Sequence, residues 1–244
     1  MEPVTHVLTG AVLARSGPNR RAAYATAAMA VAAEFPDIDT LWGLRGPVEG
    51  FAHHRGLTHT FVGLPFEAAL VVAMFYGVHR WRLRRHEGNR PLTAAPVRWG
   101  TLYLLVLLAL GSHLLLDFTN NYGLRPFAPF HTRWYAASIV FIFDPVLFLL
   151  LLAGLLLPWL LRLVQREITS SRARGGFVTT TPAQVVLALI AVYYGVRAWE
   201  HAKAVQLAQA QAMAVDAEAP PESVALPSHQ YLRVQRSLVS PGNR

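Results

Sequence analysis

Charge is nearly absent from four stretches of the chain: residues 60–78 apart from Glu67, 99–116 apart from His113, 145–161, and 175–196. Each is close to the ~20 apolar residues that an α-helix needs to cross the hydrocarbon of a bilayer. Two shorter apolar stretches, 3–14 and 22–33, are separated by Arg15, Gly17, Pro18, Arg20 and Arg21, a composition that reads as a tight turn. They predict a short N-terminal helical hairpin. At ~1.5 Å per residue neither arm spans the membrane, so the hairpin either enters it partway or packs against the longer helices. Asp144 sits inside an apolar run, and with Pro145 after it matches an N-cap followed by proline in the first helical position. A long helix then starts at 145, and residues 135–143 become a short interfacial or re-entrant segment, rich in β-branched and aromatic residues. The pattern predicts an all-α fold, a polytopic integral membrane bundle of about four long transmembrane helices behind the hairpin.

Composition agrees with a membrane protein: 53% of the 244 residues are hydrophobic and only 15% charged. The net charge of +8 falls mostly on arginines clustered between the apolar runs, at 80–98 and 162–174, whereas 34–60 carries Glu34, Asp37, Asp39 and Glu49 and 118–134 only Arg125 and Arg133. Excess Lys and Arg marks cytoplasmic loops, so 34–60 and 118–134 are expected together on the outer side, with the N-terminus. Topology thus accounts for the basic clusters and no recognised motif accompanies them, so no nucleic-acid partner is expected. Met1-Glu2-Pro3 lacks the positive start of a cleavable signal peptide. Residues 1–199 read as one membrane-embedded domain. In 200–244 an Ala- and Gln-rich helical extension is followed by Pro220-Pro221 and a polar tail. With no cysteine, any metal site must use His and carboxylates.

Those ligands concentrate on the expected outer face. Asp37 and Asp39 follow a helix end, and residues 53–59 hold His53, His54 and His59 around Arg55 and Thr58. His113 and Asp117 are spaced i, i+4 and share one helix face, and His6 lies on the first short helix. Imidazole and carboxylate suit Zn²⁺, Mn²⁺ or Fe²⁺, and the set suffices for one or two ions. A bound ion lowers the pKa of its water to near ~7 and polarises a phosphoryl or carbonyl oxygen. Arg55 can hold an anionic oxygen, and Asp39 or Asp37 can act as general base if one ion binds.

Each element also has a reading without chemistry. His113 with Asp117 can be a structural hydrogen bond, Asp37 and Asp39 a turn or cap, the three histidines a pH-sensitive loop, and His6 a packed helix residue. Glu67 is a ligand from below, a partner for Arg55, or a buried protonated acid. His79, His86, His201 and His229 lie off this face and read as surface residues.

The motifs Thr5-His6 with Gly10, Pro36-Asp37-Ile38-Asp39, His54-Arg55-Gly56-Leu57-Thr58-His59-Thr60, His113-x-x-x-Asp117 and Asp144-Pro145 together resemble the YdjM-type metal-dependent hydrolases of the bacterial inner membrane over about residues 1–200. The resemblance implies a multi-pass bacterial membrane protein with metal-dependent hydrolase activity. It also implies a metal shell of His54, His59, His113, Asp117, Asp37 and Asp39. The family is distantly similar to zinc-dependent phospholipase C-like enzymes, which implies phosphoester substrates by analogy. Many members continue into a longer extracytoplasmic region than is found here.

Residues and resemblance together give the expectation of a membrane-bound hydrolase at the extracytoplasmic surface. Its metal ligands are drawn from His6, Asp37, Asp39, His53, His54, His59, His113 and Asp117, with Arg55 and Asp39 in catalytic roles. The cofactor is a divalent metal, zinc or else manganese or iron. The partner is a membrane lipid or lipid-linked substrate carrying an ester or, by preference, a phosphoester. The rivals are a non-catalytic metal-binding scaffold or regulator, with a closed metal, and a metal or proton transporter with Glu67 on its path.

Overall fold

A computed structural model describes residues 1–85, 93–168 and 180–218. His86, Arg90, Arg172, Arg174, Pro220-Pro221, His229 and the start of the 175–196 stretch lie outside the described residues. Among those described, the chain is all helical, with two isolated β-bridges and no strand.

The N-terminal hairpin is present as α1 (Pro3–Arg15) and α2 (Ala25–Glu34). Glu2 caps α1, its carboxylate accepting from the Val4 and Thr5 amides, and Pro3 occupies a position where no amide hydrogen is needed. The hairpin packs against longer helices, with α1 on α5 (Trp99–Thr119) and α6 (Pro145–Ile168) and α2 on α4 (Gly63–Arg84) and α5. Small residues permit this. Ala25, Ala28, Ala32 and Ala33 on α2 are buried against Val71 of α4 and Val106 and Leu110 of α5. Val12 of α1 joins a second core with Leu147, Leu151, Ala183 and Val186.

After α2, a 3-10 segment Phe35–Arg45 leads into α3 (Pro47–His53), and a single 3-10 turn Leu57–His59 into α4 (Gly63–Arg84). The remaining helices are α5 (Trp99–Thr119), α6 (Pro145–Ile168) and α7 (Thr181–Glu218). Asp144 caps α6 as its sequence predicts, Oδ1 accepting from the Val146 and Leu147 amides at 3.0 Å each. Residues 135–143 are irregular, with Tyr135 and Val140 in the two β-bridges.

Two of the described helices are long and apolar enough to cross a membrane, Trp99–Thr119 and the Thr181–Ala210 part of α7; Pro145–Leu160 is apolar but shorter. The expectation of about four long spans is therefore met by two. The helix over 60–78 continues to Arg84, so α4 takes in Arg80, Arg82 and Arg84 besides Glu67, which lowers its mean hydropathy. His79, read as a surface residue, sits on this helix within 3.0 Å of the Tyr24 hydroxyl. The fold divides into two units, Met1–Arg197 and Ala198–Arg244. All candidate site residues lie in the first; in the second, the Lys203 ammonium lies over the Trp199 ring.

Candidate metal centre

Four of the expected ligands converge. Asp37, His59, His113 and Asp117 each place one ligand atom so that all four lie within 4.8 Å of one another, and Asp37, Asp39 and His54 form a second such group. Asp37 belongs to both. These groups can hold a metal ion.

Local structure explains the convergence. The i, i+4 spacing of α5 points His113 and Asp117 to one side, and both are fully buried. His113 Nδ1 donates to the carbonyl of Ala33 on α2 at 2.7 Å, which leaves Nε2 facing the group, 3.1 Å from His59 Nε2. A ligand histidine anchored through its other nitrogen is the usual arrangement at a metal. The 3-10 segment brings Asp37 Oδ1 within 3.1 Å of His59 Nε2. Asp117 Oδ2 is buried without a hydrogen-bond partner, an orphaned anionic oxygen of the kind a cation satisfies.

Asp39 organises the 54–59 loop. His54 Nδ1 donates to its Oδ1 at 3.0 Å, and the Arg55 amide and Thr58 hydroxyl donate to Oδ2 at 2.8 and 3.0 Å. Arg55 holds a left-handed φ of 56° to make this contact. Its guanidinium, expected to grip a substrate anion, is buried and engaged. Nη2 lies 3.0 Å from Asp117 Oδ1, Nη1 donates to the Gly123 carbonyl, and the group stacks 4.5 Å from the Tyr122 ring. Nε alone is buried without a partner.

The remaining predicted residues stand differently. His6 is fully buried, stacked on His113 with ring centroids 3.9 Å apart, and its Nε2 lies 3.5 Å from Asp117 Oδ1, so it borders the four-residue group without joining it. The Met1 amino group contacts both His6 Nε2, at 2.8 Å, and Asp117. His53 is not among the converging residues. It is the last residue of α3, where its ring stacks on Trp42 and Nδ1 lies 3.0 Å from the Glu49 carbonyl one turn earlier. Glu67 is buried, Oε2 lacks a partner, and it belongs to neither group.

Two contributors carried no distinctive sequence signal. Asn120, fully buried, donates to Asp117 Oδ1 at 3.2 Å while its own oxygen accepts from the Tyr122 and Gly123 amides. Its only cue was its place one turn after Asp117. Glu34, read as one of several loop charges, lies one turn before Asp37.

Burial works against charge throughout the site, and at His59, Asp37 and Asp39 the partners overcome it. Burial lowers His59, but Asp117, Asp37 and Asp39 raise it to about 10. Burial pushes Asp37 and Asp39 up, but the hydrogen bonds from His59 to both, and from His54 to Asp39, hold them below the ordinary carboxylate range. Glu34 has no such compensation: burial, with Asp37 nearby, raises it to about 8.

Residues 1–204 match the family described as YdjM inner membrane protein. The chain is also similar to "Uncharacterized protein YfhP" of Bacillus subtilis (strain 168), 28% identical over 164 residues. That match covers 64% of this chain and 45% of the relative, so it spans less than half of the relative's length. No solved structure matches. With a family match over most of its length, and with apolar helices and a buried His/Asp cluster in place, the chain belongs to the YdjM inner membrane protein family.

Proposed function

We propose that the protein is a membrane-bound metal-dependent hydrolase, with its His/Asp site at the extracytoplasmic membrane surface, acting on an ester or phosphoester of a lipid-linked or amphipathic substrate. The observation that carries this reading is the convergence of Asp37, His59, His113 and Asp117, with His113 anchored through Nδ1 on Ala33. Asp37 also groups with Asp39 and His54, so it would be a ligand whether one ion or two were held. A bound divalent metal, zinc or else manganese or iron, supplies an activated water and polarises the scissile group.

This chain's residues supply the remainder. Arg55 and Asn120 hold Asp117 through Oδ1, which leaves Oδ2 beside His59 and His113, and Asp39 fixes the His54 and His59 rings. With a single ion bound, Asp39 or Asp37 is left to act as general base, and Asp37 is the more exposed of the two. The Nε hydrogen of Arg55 is the part of that side chain left for a substrate oxygen.

Full burial of His59, His113 and Asp117 favours a second reading, a non-catalytic metal-binding scaffold or regulator whose ion is closed off. Elemental mass spectrometry of the purified protein tests both. Roughly one or two equivalents of metal are expected, lost in His59→Ala and in Asp117→Ala. Metal retained in either variant overturns the ligand assignment. Metal present, with no hydrolysis of a panel of carboxylic and phosphoric esters in lipid nanodiscs, selects the scaffold.

A further inference from the structure

Beside the metal centre, a cleft of about 480 Å³ opens between α1, α2 and the Phe35–Arg45 segment. Volumes of this order hold small ligands. Its walls include Val7, Val31 and Leu41, and its charged lining residues are Glu34 and Asp37. Asp37 joins the cleft to the metal centre, since it belongs to both ligand groups.

We infer that this cleft seats the alkyl chain of a membrane amphiphile, with an uncharged, hydroxyl-bearing head held by Glu34 so that the adjoining ester lies at Asp37; the inference rests on the hydrolase reading above. Three observations support it. The lip of the cleft is apolar and faces outward, with Val31 38%, Ile38 47% and Leu41 58% exposed, a surface suited to lipid rather than water. Of the two acids that line the cleft, Glu34 lies outside both ligand groups, and a hydroxyl-bearing uncharged head suits that carboxyl better than an anionic one. Glu34 Oε2 is buried without a hydrogen-bond partner, so a hydroxyl of the bound molecule satisfies a group the fold leaves unpaired.

Photolabelling tests this with the full-length protein in phosphatidylcholine nanodiscs. The probe is a dodecyl glycerol ether carrying a diazirine at the chain terminus; it has both head hydroxyls and no cleavable ester. Label is expected on peptides containing Val7, Val31 or Leu41, competed by unlabelled dodecyl glycerol ether. Val31→Trp, which fills the cleft, and Leu41→Ser, at a tolerant exposed position, should both lower it, and Glu34→Ala should lower it by ~tenfold while Glu34→Gln largely preserves it. Label spread evenly over the lipid faces of α5 and α7, or unchanged in Val31→Trp and Leu41→Ser, overturns the proposal. Stronger competition by the corresponding glycerol ether phosphate overturns the head-group assignment. Metal content measured on the same samples separates the two readings. Cleft labelling in protein without metal supports the cleft and sinks the metal centre, whereas metal retained without cleft labelling does the reverse.

Discussion

At Gly10 an added Cβ would meet the Met29 carbonyl and lie 2.8 Å from the Ala33 side chain, so only glycine lets α1 and α2 approach this closely. Ala33 also carries the carbonyl that anchors His113. Gly10→Ala should therefore destabilise the protein by about 1–3 kcal/mol and weaken metal binding at the same time, read by denaturant titration in detergent and by metal content. A stability loss with full metal retention would separate helix approach from site geometry. Arg55 is a second single-residue control point. Its guanidinium faces Asp117 with both side chains buried, and Arg55→Ala takes one cationic partner from that carboxylate while the Met1 ammonium remains beside it. The expected cost is about 1.5–3 kcal/mol for the charged hydrogen bond lost, and an unchanged melting temperature would contradict it. From the sequence Arg55 read as a substrate contact, because nothing in the chain pattern announces that Gly123 and Tyr122 come round to occupy it.

Among the elements, α6 shows a boundary that local chemistry sets by itself. Asp144 accepts from two amides at the helix start, and the Tyr193 hydroxyl of α7 donates to its other oxygen at 2.6 Å. Asp144→Ala should cost about 1 kcal/mol for the cap alone and more with the Tyr193 contact, whereas Tyr193→Phe removes only the latter. Comparing the two variants by thermal unfolding divides cap from contact. The hairpin was legible for the same reason as this cap: turn residues and N-terminal signals act within a few positions. The α4 span was less legible, because a window of uncharged residues says nothing of where the helix stops, and this one runs on through Arg80, Arg82 and Arg84.

In the whole molecule, metal binding, protonation and stability are coupled. The metal-free site holds a proton on His59, raised from an ordinary 6.5 to about 10, so its ion pairs contribute fully below 6.5 and are lost as pH rises through about 10. Asp37 and Asp39, held low, contribute above their ordinary value of 3.8 and lose that contribution as pH falls. An ion at His59 must displace the proton, so metal affinity should rise with pH between about 6.5 and about 10. Calorimetry at neutral pH in two buffers of different ionisation enthalpy should register proton release on metal binding. No release would place the ion elsewhere. Because the metal would bind only the folded state, a chelator should lower the melting temperature of the native chain and leave that of His59→Ala unchanged.

Local patterning by itself determined the apolar helical character, the N-terminal hairpin, the cap at Asp144 and the pool of His and Asp residues, since each depends on spacing within a turn or two of helix. Which members of that pool meet was decided by tertiary structure alone. His53 and His54 are adjacent in the chain, yet the end of α3 directs one ring onto Trp42 and the other towards Asp39. Asp37, His59, His113 and Asp117 come from three separate segments, and their convergence depends on how closely α2 packs against α5, a distance set by buried alanines and by contacts remote in sequence.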